Sequence, residues 1–218
     1  MLVIYPIVLK LDKYRRRAQH AVNTLWAKLG SFPFYRVKIE GRQHLPPNVQ
    51  AAVYVANHQS FLDIFSLFHL NRSFKFISKS SIFYIPIVGW SMFLTGHVML
   101  NRVDRRSQLR VLQECERLLS RGASLLFFPE GTRSVDQKLA PFKKGGFTVA
   151  VRTGAPVVPI TVLGAGDMMP SGKEAFMYPG EVRMIVHPPM EAKGENAQEL
   201  CDKARAVIAS AMPQRLVS

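Results

Sequence analysis

The chain has 218 residues, 48% of them hydrophobic, enough for one full core, so one domain is the expectation. Lysine and arginine number 29 against 15 acids, and the +14 balance calls for an anionic partner: nucleic acid, an anionic membrane, a phosphorylated substrate or an acidic carrier protein. Two cysteines, Cys115 and Cys201, supply neither a disulfide framework nor a metal-ligand spacing, and no histidine sits in an H-E-x-x-H or Cys/His cluster, so no metal site is expected.

Residues 1–9, MLVIYPIVL, are apolar but too short to span a bilayer, and they lack the leader and cleavage site of a signal peptide. Residues 10–30 predict a helix, with Leu11, Tyr14, Ala18, Val22, Leu25 and Leu29 at spacings of three or four and Gly30 as its stop. Eight basic residues and one acid, Asp12, fall within residues 1–38. Basic residues beside an apolar stripe suit an amphipathic helix lying on an anionic membrane surface. The alternative is a helix packed on its own domain, with Arg15, Arg16 and Arg17 solvated. Residues 1–30 are set apart on this basis as a membrane-associating segment, and 31–218 as the globular domain.

Strands are predicted at YRVKIEG and AAVYVA, a helix at SFLDIFSLFHL and a strand at FKFISK. SQLRVLQECERLLSRG is a periodic helix with Leu109, Leu112, Cys115, Leu118 and Leu119 on one stripe and Gly122 as its end. ASLLFFP reads as a buried strand, GGFTVAVRTG as a short helix, PVVPITVL and EVRMIVHPP as strands, and AQELCDKARAVIASAM as a last helix. The alternation predicts an α/β domain whose sheet is mixed or largely parallel and flanked by helices. Residues 80–101 carry no Asp, Glu, Lys or Arg. They allow three readings: a membrane-crossing helix, which Pro86, Gly89, Gly96 and His97 oppose; helical turns followed by a strand, HVML, leaving an apolar surface for lipid; or ordinary buried structure.

Two stretches carry chemistry. In NHQSFLD, residues 57–63, a helix N-cap at Ser60 makes Asp63 the third helical residue and lets the chain fold the His58 imidazole back onto the Asp63 carboxylate. A carboxylate on one ring nitrogen fixes the tautomer and leaves the other nitrogen to take a proton from an alcohol. The bland alternative is a turn histidine beside a capping aspartate. FFPEGTRS, residues 127–134, leaves Glu130 and Arg133 at the end of a strand, where α/β ligand sites lie. An arginine and the amides of a bend suit a phosphate; the alternative is a turn closed by an internal Glu130–Arg133 ion pair. PFKKGGF adds Lys143 and Lys144 nearby, and Lys79 and Arg102 flank the charge-free stretch as further phosphate candidates.

NHQSFLD, LNRVDRR, FPEGTRS and VPI at 158–160 follow one another in the order of four blocks of the glycerolipid acyltransferase family. The chain resembles that family, and within it the lysophosphatidate acyltransferases of the plastid and cyanobacterial type, over about residues 30–210. The resemblance implies a two-layer α/β acyltransferase fold without a cofactor. It implies that His58 is the general base and Asp63 its orienting acid. It further implies that Lys79, Arg102 and Arg133 bind the acceptor phosphate, with Glu130, Gly131 and Thr132 shaping the substrate site. Backbone amides at the helix start or the EGTR bend would stabilise the oxyanion. Residues 80–101 would receive an acyl tail. The implied partners are an acyl carrier protein or coenzyme A thioester, lysophosphatidate and an anionic membrane surface. The implied location is a plastid envelope or a bacterial inner membrane.

Other classes lack their signatures. There is no G-x-S-x-G elbow for a serine hydrolase. GDMMPSGKE is one residue too long for a P-loop and ends in Glu174. No zinc-finger pattern or RNP-type aromatic block supports nucleic acid.

Overall fold

A computed structural model of the chain describes residues 2–85, 87–100 and 105–217. Two helices, α1 (Tyr5–Leu11) and α2 (Arg17–Ser31), precede the first strand, β1 (Tyr35–Glu40). Then come β2 (Val53–Ala56), α3 (Leu62–Phe68), β3 (Phe74–Lys79), α4 (Val88–Thr95), β4 (Val98–Leu100) and α5 (Arg105–Ser120). The chain continues with β5 (Ser124–Phe127), α6 (Gly145–Thr153), β6 (Val157–Leu163), α7 (Ala165–Met168), β7 (Gly180–Val186) and α8 (Ala197–Ser210).

The strands form one sheet in the order β1-β7-β6-β2-β5-β3-β4. Every pairing is parallel except β6 with β7. β2 lies near the middle and is buried throughout, which is why AAVYVA is apolar without alternation. Its side chains still alternate between two cores. Val53 and Val55 pack with Val111, Leu118, Phe147 and Ile208 from α5, α6 and α8. Ala52, Tyr54 and Ala56 pack with Ala27, Leu67 and Met168 from α2, α3 and α7. Helices cover both faces, so the two-layer expectation is corrected to three layers: a strand buried on both sides needs two covers. Cys115 and Cys201 are free and buried in the first core.

The predicted helix over 10–30 is broken. α1 ends at Leu11, and Arg16 takes a left-handed conformation (φ 52°) before α2 begins. The elbow is held by contacts that local periodicity does not encode. The Asp12 carboxylate accepts from the Arg17 N–H at 2.7 Å. The Arg16 guanidinium donates to the carbonyls of Phe93 (2.8 Å) and Leu94 (3.0 Å). Fully buried Lys75 donates to the carbonyls of Arg15 (2.5 Å) and Thr95 (2.6 Å). Three of these acceptors are last-turn carbonyls of α4, where positive charge is favoured. Burial, reinforced by the Arg16 charge, lowers the Lys75 pKa to about 7. Gly30 does not stop α2, which continues to Ser31.

α2 is also turned the unexpected way for a helix on a domain. Gln19, His20, Asn23, Thr24 and Ala27 face inward, while Val22, Leu25, Trp26 and Leu29 are exposed. Within residues 80–101 the structure has a 3-10 turn, Ser80–Tyr84, then α4 and β4. The turns-then-strand reading therefore describes it, and no described helix is long and apolar enough to cross a membrane. Trp90 and Phe93 of α4 are exposed, and the Phe93 ring lies 6.2 Å from that of Tyr5 in α1.

Candidate active site

β2, β5 and β3 are neighbouring parallel strands, so their carboxyl ends open onto one edge of the sheet. His58 follows β2, the EGTR bend follows β5, and Lys79 is the last residue of β3. Strands two places apart are separated by about 10 Å, so the three segments span the length of a small polar headgroup.

The loop after β2 is fixed residue by residue. Asn57 is fully buried and works as a spare peptide: its amide donates to the Val162 carbonyl (2.8 Å) and its oxygen accepts from the Val162 N–H (2.7 Å). The link to β6 is thereby extended past the last paired residue of β2. Gln59 donates its side-chain amide to the Gln137 carbonyl, and Ser60 donates its hydroxyl to the Met169 carbonyl. These bonds anchor the residues on either side of His58.

Asp63 is fully buried, and its Oδ2 accepts three hydrogen bonds of 2.8 Å, from His58 Nδ1 and from the N–H groups of Gln59 and Ser60. A carboxylate already facing two amides is an acceptor, so Nδ1 carries the proton and donates. Nε2 is the nitrogen left with a lone pair. Among the described residues it has no hydrogen-bond partner, and the side chain keeps 13% of its surface exposed. The Phe128 ring stacks on the imidazole with centroids 3.8 Å apart and planes 13° apart, closing one face of the ring. α3 starts one residue later than the Ser60 cap implied, with Phe61 at the N-cap. Ser60 Oγ accepts from the Leu62 N–H, and Asp63 turns back on the preceding amides, so the ring still reaches the carboxylate.

Glu130 lies beneath this pair and is 5% exposed. One oxygen accepts from the His58 N–H at 2.7 Å and the other from the Ala140 N–H at 3.0 Å. Burial raises its pKa to about 7 against the pull of those two amides. Its carboxylate therefore faces the backbone that carries His58. The internal Glu130–Arg133 ion pair is absent; Arg133 pairs with Glu174 at 2.6 Å. The bend is drawn around the histidine by two further bonds, Gly131 N–H to the Phe128 carbonyl and Ser134 N–H to the His58 carbonyl. Gly131 has φ +80°, and a Cβ there would meet the Lys143 ammonium at 2.6 Å. Thr132 is exposed on the same bend, and Lys79 is exposed at its strand end. Arg102 lies outside the described residues.

Asn57, Phe128 and Glu130 in its inward role were not identified from the sequence. The signal for Phe128 is an aromatic directly after a strand that ends at the site. Asn57 and Glu130 act through partners far along the chain, which no local pattern exposes. Among the described residues, no group of three or more His, Cys, Asp and Glu is placed to hold a metal.

A histidine steadied by a buried acid at the carboxyl edge of a parallel sheet, beside a cationic bend, is an arrangement able to take a proton from a hydroxyl next to an anionic group. The family model for acyltransferases matches residues 36–163, and the chain belongs to that family. It is 62% identical over its full length to a 1-acyl-sn-glycerol-3-phosphate acyltransferase of Chlamydomonas reinhardtii, of which it covers 65%. It is 52% identical over 97% of its length to a chloroplastic enzyme of that name from Arabidopsis thaliana, of which it covers 59%. The chain thus spans about three fifths of the length of such curated relatives. The crystal structure of the 1-acyl-sn-glycerophosphate acyltransferase PlsC from Thermotoga maritima superposes with a TM-score of 0.82 at 30% identity, covering 96% of this chain and 85% of that one.

Proposed function

We propose that the chain transfers a fatty acyl group from a thioester to the sn-2 hydroxyl of 1-acyl-glycerol-3-phosphate, forming phosphatidate for phospholipid synthesis. The observation that carries this reading is the His58–Asp63 pair with Nε2 uncommitted. Nε2 takes the hydroxyl proton as the oxygen attacks the thioester carbonyl. The carbon–oxygen bond forms, the carbon–sulfur bond breaks, and the proton is passed from the imidazolium to the departing thiolate. Asp63 stabilises the imidazolium meanwhile. Glu130 acts as a positioning residue that holds the His58 peptide. The oxyanion is assigned to the EGTR bend, because the Gln59, Ser60 and Leu62 amides at the start of α3 are already committed. Arg133, Lys79 and Arg102 are assigned to the acceptor phosphate.

The acyl donor in this reading is an anionic thioester, carried on an acyl carrier protein or coenzyme A. The working place is an anionic membrane surface, with a plastid envelope favoured by the chloroplastic relatives and a bacterial inner membrane as the other setting. The exposed apolar residues of α1, α2 and α4, next to the basic elbow, support a membrane-facing side. The test is a donor-by-acceptor assay with both thioester types, reading phosphatidate. Formation of phosphatidate from lysophosphatidate, and not from acceptors lacking the phosphate, is the expected result. Equal use of acceptors without a phosphate would contradict it.

A further inference from the structure

The bend after β5 carries two cations in unlike states. Arg133 is committed: its guanidinium holds the Glu174 carboxylate at 2.6 Å. Glu174 is presented by its own turn, where the Gly172 N–H donates to the same oxygen at 3.1 Å. That amide first, and Arg133 after it, keep the Glu174 carboxyl below its ordinary range, so it is an anion at neutral pH. Lys143 is uncommitted. Its backbone N–H is tied to the Pro129 carbonyl at 2.9 Å, and its ammonium lies over Gly131 where a side chain would otherwise stand. Among the described residues it makes no ion pair. Its neighbour Lys144 is exposed at the N-cap position of α6.

A carboxylate and a phosphate present similar oxygens to a guanidinium, and the phosphate brings more charge. We propose that the acceptor phosphate binds between Arg133 and Lys143 by displacing Glu174, so that Glu174 sets acceptor affinity as a built-in competitor. This rests on the acyl-transfer reading above. GDMMPSGKE, unsuited to a P-loop, gains a role in it: its last residue occupies the anion site when the acceptor is absent. The exchange is local, because the pair is about one-third exposed on each side and neither partner belongs to a helix or strand.

The test is steady-state kinetics on the full chain with lysophosphatidate and an acyl thioester, varying each substrate in turn. Glu174→Gln is expected to lower the acceptor KM about two- to fivefold, the scale of an exposed ion pair, with kcat and the donor KM unchanged. Lys143→Met is expected to raise the acceptor KM about tenfold, the scale of a lost charge-assisted hydrogen bond, again without moving the donor KM. Lys144→Met should move neither. An acceptor KM that rises in Glu174→Gln would mean that the glutamate holds Arg133 in place, which overturns the proposal and leaves acyl transfer standing. Unchanged acceptor KM in Lys143→Met overturns it equally. If wild-type protein forms no phosphatidate, the acyl-transfer reading and this proposal fall together.

Discussion

The carboxyl ends of β2 and β5 and the elbow between α1 and α2 both bury charge against backbone, with opposite signs. At the strand ends, acids receive amides: Asp63 takes the N–H groups of Gln59 and Ser60, and Glu130 takes those of His58 and Ala140. At the elbow, cations serve carbonyls: Lys75 donates to Arg15 and Thr95, and Arg16 to Phe93 and Leu94. Each follows the local field, with an acid in the first turn of α3 and cations at the end of α4. The outcomes differ. The first region fixes one imidazole and leaves its outer nitrogen unspent. The second fixes two helices and leaves their apolar sides exposed.

Removing an acid from the first region has the largest expected effect. Asp63→Asn keeps an oxygen able to accept from Nδ1 but removes the charge that stabilises the imidazolium. Turnover should fall by about 10²–10⁴-fold, measured as phosphatidate formation with the fold checked by circular dichroism. Near-wild-type turnover would show that the acid caps the helix and does nothing for the imidazole.

Glu130 and Lys75 sharpen the contrast through pH. The folded pKa of Glu130 is raised to about 7, so between about 4.5 and 7 the folded state binds more protons than the unfolded one. Its contribution to stability is full below about 4.5 and is lost as pH rises through 7. Glu130→Gln should flatten that part of the stability profile and slow turnover about tenfold, because one of the two amides loses its acceptor. Lys75 has the reverse sign. Its folded pKa is lowered to about 7, so from about 7 to 10.5 the unfolded state binds more protons and stability rises with pH. Lys75→Met should flatten the upper part only. Urea melts across pH read both slopes, and a variant that changes the wrong half would contradict the assignment.

The smallest effect is expected on the exposed side of α2. Leu25→Glu with Leu29→Glu leaves buried contacts untouched, since both side chains face outward. Binding to anionic vesicles should weaken severalfold and become more salt-sensitive, while thermal stability holds. Unchanged vesicle binding would remove α2 from the membrane-facing side.

The middle of the sheet was legible because AAVYVA, ASLLFF and PVVPITVL are largely apolar runs that end at Asn57, Pro129 and Gly164, and the AAVYVA run marks a strand buried on both faces. The pairing of His58 with Asp63 was legible because it is local, five residues apart. Three things were not. The elbow depends on carbonyls 77 and 78 residues away from Arg16, so periodicity alone continued the helix through it. Asn57 finds its partner in Val162, 105 residues on, and looks like an ordinary turn former from the sequence. Glu130 stands three residues from Arg133 and suggests an ion pair with it, yet burial turns it toward two amides and leaves Arg133 to Glu174. In each case a long-range hydrogen bond outweighed the local pattern.

The most direct measurement is on the imidazole itself. His58→Ala should form phosphatidate at least about 10²-fold more slowly than wild type with either thioester, while retaining its fold and its affinity for lysophosphatidate vesicles. Turnover at the wild-type rate in that variant would contradict the central claim that Nε2 takes the proton.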